Sequence, residues 1–165
     1  MRTVGPQPRV PVALLRDPGH FLALGFGAGL APRAPGTFGT LAGLLVYWPL
    51  AGLDRPWYFA FCAVLFVVGV PICSRTARAL RCHDHPGIVW DEVVGILVTL
   101  GCGGHGLASV AVGFTLFRLF DIWKPWPVRV CDANVRGGLG IMLDDVAAAI
   151  YAGAGLTLFE YISWS

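Results

Sequence analysis

The sequence predicts an all-α fold: a polytopic integral membrane helical bundle with about four hydrophobic segments, one of them re-entrant or a broken hairpin. Three observations carry that prediction. Charged residues make up 13% of the 165-residue chain and hydrophobic residues 56%, with a mean hydropathy of +0.67, whereas soluble domains carry about 25% charged residues. Long stretches without Asp, Glu, Lys or Arg recur along the chain. The acids and bases gather in short islands at the ends of those stretches.

Residues 1–24 read as an N-terminal cytoplasmic or interfacial segment bearing Arg2, Arg9 and Arg16. Arginines followed by FLALGFGAGLA resemble a signal peptide. The APRAPGTFGT that follows looks chemically purposeful, and cleavage nearby would cut into it, so the segment is expected to be retained. Uncharged runs then extend over Ala34–Leu53, Pro56–Ser74 and Val93–Phe117, each reaching the roughly 18 apolar residues that suggest a bilayer span. A fourth starts at Val146 and meets no charge before Glu160. Arg2, Arg9, Arg16 and Arg33 precede the first run and Arg75, Arg78 and Arg81 follow the second, while only Asp54 and Arg55 separate the two. This asymmetry places the N-terminus and residues 75–92 in the cytoplasm.

A net charge of +2 without a basic stripe argues against nucleic acid as a partner. Five cysteines, Cys62, Cys73, Cys82, Cys102 and Cys131, include no CxxC pair and suit neither a disulfide framework nor zinc. Cys82, His83 and His85 lack a second ligand pair at zinc spacing and read as loop residues.

Three polar islands carry the candidate chemistry. In GFGAGLAPRAPGTFGT (25–40), glycines allow close backbone approach and Arg33 offers a planar fork suited to phosphate; a helix-to-helix turn with a snorkelling arginine would look the same. In GIVWDEVVG (87–95), Asp91 and Glu92 stand together just before an apolar run, where they would serve either as helix-start acids or as groups needing a compensating cation. The third island runs from Phe117 to Asp145. Arg118, Asp121 and Lys124 recur at i, i+3 and i+6 and fall near one helical face until Pro125. An Arg–Asp pair would account for two of these, but not for Asp144 and Asp145 side by side before the fourth run. Two acid pairs at the starts of apolar runs, plus an acid among bases, suggest an oxygen-ligand site for Mg²⁺.

Carboxylates, a hard cation, basic side chains and a glycine-rich turn at a membrane surface would bind a phosphate ester and favour its hydrolysis. The signatures of other phosphatases and of alcohol phosphotransferases are missing: no DxDx[TV], no CxxxxxR, no PSGH and no DGxxAR. If Asp91 and Glu92 are to meet Asp121, Asp144 and Asp145, the run 93–117 must turn back. GCGGHG at 101–106 would be the hinge, giving two helices of about eleven residues, roughly 16 Å each, or half the hydrocarbon thickness.

PRAPGTFGT (32–40), IVWDEVVG (88–95), FRLFDIWKPWP (117–127) and GGLGIMLDD (137–145) are similar to blocks of the bacterial phosphatidylglycerophosphatase A family. The resemblance covers most of the chain from about Gly25. It implies an all-helical, membrane-embedded lipid phosphatase domain over 25–165 in the inner membrane, with its site facing the cytoplasm. The implied reaction is Mg²⁺-dependent hydrolysis of phosphatidylglycerophosphate to phosphatidylglycerol and inorganic phosphate. Carried over by position, the resemblance makes Asp91, Glu92, Asp121, Asp144 and Asp145 the metal-binding or water-activating acids, with Arg33, Thr37, Arg118 and Lys124 on phosphate. A small transporter or a structural membrane protein binding ions through the acids is the competing expectation. A transporter should show more spans, inverted internal symmetry and acids in mid-run.

Overall fold

The computed structural model describes residues 10–82, 85–126, 128, 135 and 137–163. Arg2, Arg9, His83, Arg129, Cys131 and Arg136 lie outside the described residues. Among those described, the chain forms six α-helices and two short 3-10 turns and no strand. The helices are α1 (Pro18–Ala23), α2 (Pro35–Leu50), α3 (Arg55–Ala79), α4 (Trp90–Gly101), α5 (Leu107–Trp123) and α6 (Gly138–Ser163).

Helix α1 begins where a sequence-local cap permits it. The Asp17 carboxylate accepts from the Gly19 and His20 amides at 2.9 and 3.2 Å, with Pro18 supplying a first residue that has no amide to lose. The same carboxylate pairs with Arg75 at 2.8 Å, and His20 Nδ1 meets Thr76 Oγ1 at 2.8 Å. These contacts fasten α1 to the last turns of α3. The His20 amide, and after it the Arg75 charge, hold the Asp17 carboxyl below its ordinary range.

Helix α4 is the centre of the molecule. Eight of its twelve residues are buried, Val93, Val94, Ile96, Leu97 and Leu100 completely, because α2, α3, α5 and α6 all pack against it. Close approach by α2 depends on small residues along one face: a Cβ at Gly43 would fall 2.3 Å from Ile96 Cγ2. Helix α3 is tied to α4 from the other side by Tyr58, whose hydroxyl donates to the Leu97 carbonyl at 2.7 Å, and by the Trp90 indole, which donates to the Leu65 carbonyl at 3.1 Å.

Helices α3 and α6 are long and apolar enough to cross a membrane. The run 34–53 yields only the 16-residue α2, about 24 Å long, so two helices reach spanning length among the described residues. The run 93–117 does break, at 102–106, and α4 and α5 pack against each other across that break. Helix α5 is longer than expected, because the polar residues from Arg118 onward remain helical to Trp123. Helix α6 starts at Gly138 rather than near Val146, which sets Asp144 and Asp145 two turns inside it.

Candidate active site

Three helices deliver acids to one place. Asp91 and Glu92 occupy the first turn of α4, and Asp145 comes from α6; one carboxylate oxygen from each lies within 4.8 Å of the others. Asp121, from α5, is within hydrogen-bond reach of Asp145. Helix α4 approaches α5 and α6 here because Gly95 has no side chain: a Cβ would fall 2.4 Å from Phe117 Cζ and 3.4 Å from the Asp145 carbonyl.

The cluster is short of partners. Asp91 Oδ1, Glu92 Oε2 and Asp145 Oδ2 are buried and make no hydrogen bond among the described residues. Carboxylates withdrawn from water in this way must take up protons or share a cation. Burial first, and then the neighbouring Asp145 charge, pushes the Glu92 carboxyl up to about 8; burial, reinforced by Glu92, pushes Asp91 well above the ordinary carboxylate range. The donor set is all hard oxygen, arranged for a cation that favours carboxylates.

Basic residues rim the acids; the Arg118–Asp121 pair follows the helical-face pattern, and the pairing of Lys124 does not. Arg118 pairs with Asp121 one turn on and stands 3.9 Å from Glu92 Oε1, with its Nε buried and unbonded among the described residues. Lys124 leaves the helix: it is the α5 C-cap, in the left-handed region at φ 46°, and its Nζ reaches Asp144 Oδ2 at 2.6 Å. Asp144 therefore points to a lysine, while its neighbour Asp145 points to the acids. The five candidate acids thus divide into Asp91, Glu92 and Asp145 together, Asp121 between them and Arg118, and Asp144 on Lys124.

The first island reaches the cluster through backbone. Gly36, in the first turn of α2, lies so close that a Cβ would fall 2.2 Å from Glu92 Oε1 and 3.2 Å from Arg118 Nη1. Thr37 follows it, half-buried, and Arg33 is exposed in the preceding loop. Gly36 escaped the sequence reading; its signal was the run of small residues Gly36, Gly39, Thr40 and Gly43, spaced along one side of a helix.

Comparison with known proteins bears on what such an arrangement does. A family model described as phosphatidylglycerophosphatase A matches residues 21–160. The chain is 42% identical over 151 residues to the phosphatidylglycerophosphatase A of Escherichia coli (strain K12), covering 91% of this chain and 87% of that protein. It is 44% identical over 140 residues to the protein of the same name from Haemophilus influenzae, covering 84% and 86%. No solved structure matches the chain.

Proposed function

Since the chain belongs to the phosphatidylglycerophosphatase A family and is therefore a phosphatase, we propose that it hydrolyses phosphatidylglycerophosphate to phosphatidylglycerol and inorganic phosphate. We further propose that the reaction requires Mg²⁺, with Asp91, Glu92 and Asp145 as its ligands and Asp121 beside them. The observation that carries the metal proposal is the set of buried carboxylate oxygens from α4 and α6 that make no hydrogen bond among the described residues. Bound there, the cation supplies positive charge at the phosphoryl oxygens and acidifies nearby water.

The chain's own residues account for the rest. Arg118, held by Asp121 and facing Glu92, presents a guanidinium edge to the phosphoryl group as negative charge develops. Lys124, fixed on Asp144, adds a second positive charge. Gly36 lets the α2 backbone approach, and Thr37 beside it and Arg33 in the preceding exposed loop are the proposed further phosphate contacts. An acid of the cluster accepts the proton of the attacking water.

Helices α3 and α6 read as spans, α2 as a shorter companion, and α4 with α5 as a re-entrant hairpin. Arg75 and Arg78 in the last turns of α3 and Arg81 just beyond it support a cytoplasmic location for that end in a bacterial inner membrane. Two measurements test the proposal. Purified protein should release phosphate from phosphatidylglycerophosphate in preference to phosphatidic acid or lysophospholipid phosphates, and chelation of Mg²⁺ should stop it; indifference to chelation would remove the metal. In spheroplasts, an impermeant maleimide should modify Gly52→Cys, in the α2–α3 turn, but not Trp126→Cys in a cysteine-free background. Labelling of Trp126→Cys from outside would overturn the hairpin.

A further inference from the structure

A polar pocket of about 690 Å³ opens at the end of the molecule away from the acids, between the start of α3, the hinge after α4 and the end of α6. Arg55 and Phe59 wall it from α3, Gly101 from α4, and Thr157, Glu160 and Tyr161 from α6. Gly101 closes α4 at the end opposite Asp91, about 15 Å along the helix axis, so the pocket is separate from the candidate active site. Its α6 side is fastened to the hinge. The Glu160 carboxylate accepts from the Gly104 amide through Oε1, and the Thr157 hydroxyl donates to the Cys102 carbonyl at 3.1 Å.

Towards the middle of α3 the same seam holds an apolar groove of about 300 Å³, walled by Phe59, Cys62, Phe66 and Val67 from α3 and by Val94 and Val98 from α4. The two cavities share Phe59. Arg55, Phe59, Cys62 and Phe66 stand at i, i+4, i+7 and i+11 on one face of α3, and Val94, Val98 and Gly101 at i, i+4 and i+7 on one face of α4. Pocket and groove therefore lie end to end along the same two helix faces, about 16 Å from Arg55 to Phe66.

The pocket holds both signs of charge, kept apart. Arg55 and Glu160 line it together, and among the described residues no ion pair joins them. Among the same residues no charged side chain lines the groove. Trp48, Trp57 and Tyr161, all largely exposed, stand near the end of α2, the start of α3 and the end of α6, and such aromatic side chains favour the level of lipid headgroups.

We propose that this seam binds a zwitterionic phospholipid bearing a primary amine, with its phosphate on Arg55, its ammonium on Glu160 and one acyl chain in the groove past Phe59. The site serves a lipid other than the substrate, at the membrane face opposite the acids, and stands independently of the phosphatase reading. The paired charges select the headgroup. A headgroup with a phosphate alone would set an anion beside Glu160, and a quaternary ammonium has no N–H to donate to a carboxylate. A primary amine joined to a phosphate satisfies Arg55 and Glu160 together.

The test titrates phospholipids into delipidated full-length protein in detergent and reads binding by native mass spectrometry. Phosphatidylethanolamine should bind roughly tenfold more tightly than phosphatidylcholine or phosphatidylglycerol of the same chains, the worth of one charge-assisted contact. Arg55→Gln should weaken it by about tenfold to a hundredfold. Glu160→Gln, which keeps an oxygen for the Gly104 amide, should abolish the preference over phosphatidylcholine. Val67→Trp, on an exposed wall of the groove, should weaken all three lipids. Arg55 and Val67 are both exposed, so these two variants should melt with the wild type when lipid-free, and they carry the test if Glu160→Gln fails to fold. Free phosphoethanolamine, lacking a chain for the groove, should not displace the lipid at equal concentration. Equal affinity for phosphatidylglycerol and phosphatidylethanolamine, unaltered binding by Arg55→Gln and Val67→Trp, or displacement by free phosphoethanolamine would overturn the proposal.

Discussion

Gly36 and Glu92 occupy adjoining space, such that any side chain on the first would displace the carboxylate of the second: a Cβ at Gly36 falls 2.2 Å from Glu92 Oε1. To make room the Glu92 side chain would have to swing out of its place in the cluster. Gly36→Ala is therefore expected to lower kcat by tenfold or more. Melting temperature should change little, because alanine is favoured over glycine in a helix by about 1 kcal/mol. Turnover and melting measured on one preparation decide it; wild-type turnover would show that the Glu92 position does not matter.

Asp145→Asn and Asp121→Asn should abolish phosphate release, as expected of groups that hold a cation or touch one that does. Stability should respond in the opposite direction. Replacing one buried carboxyl, which in the metal-free protein must either hold a proton or repel its neighbours, with a neutral amide relieves that cost, so the melting temperature should hold or rise, while the upward shift produced by Mg²⁺ shrinks. Melting in detergent with and without Mg²⁺ reads both effects. Turnover within a few-fold of wild type in both variants would make these carboxylates structural.

The metal-free protein should lose stability as pH rises. The Glu92 carboxyl, raised from its ordinary 4.5 to about 8, stays protonated in the folded chain between those values while the unfolded chain has already released its proton. The folded state then binds more protons, and stability falls through that window; Asp91, shifted the same way, adds to the slope. Asp17 shifts downward and is ionised throughout, so it contributes nothing there. A melting scan from pH 5.5 to 8 without Mg²⁺ should slope downward, and the stabilisation by added Mg²⁺ should grow with pH. A flat scan would mean that the acids are not proton-bound when empty.

Lys124 and Arg33 should separate when each is changed. Lys124→Met removes the cation from Asp144, which is 9% exposed at its side chain, and should destabilise the protein by about 1–3 kcal/mol as well as slow it. Adding Asp144→Asn should recover most of that stability and little of the activity. Arg33→Ala, in an exposed loop, should lower turnover tenfold or more and leave melting unchanged. Chemical denaturation paired with kinetics distinguishes these outcomes; a stable, fully active Lys124→Met would show that the pair serves neither purpose.

Much of this architecture could be read from the chain because its signals are local. The hinge at 101–106 announces itself by glycines inside an apolar run, and Asp91 and Glu92 stand out because neighbouring acids at the start of such a run are costly. What could not be read depends on partners far along the chain or on backbone conformations without a compositional mark. Lys124, Phe26 and Ala34 adopt positive φ without being glycine, so nothing in their identity shows that α5 stops at Lys124 or that Phe26 turns toward Trp90. Asp144 and Asp145 are indistinguishable in sequence, and only the facing of α6 sends one to Lys124 and the other to Glu92. Spanning length misled in the first run, because its uncharged residues continue past the end of α2 at Leu50.

The shortness of α4 has a consequence for how the protein is made. At twelve residues, about 18 Å, it is too short to enter a bilayer as an independent segment, and its surroundings come from both sides of it in the chain. Helices α2 and α3 are already synthesised when α4 emerges, whereas α6, which carries Asp145 and packs along α4, comes after it. The packing around α4, and with it the acid cluster, is therefore complete only once α6 has been made.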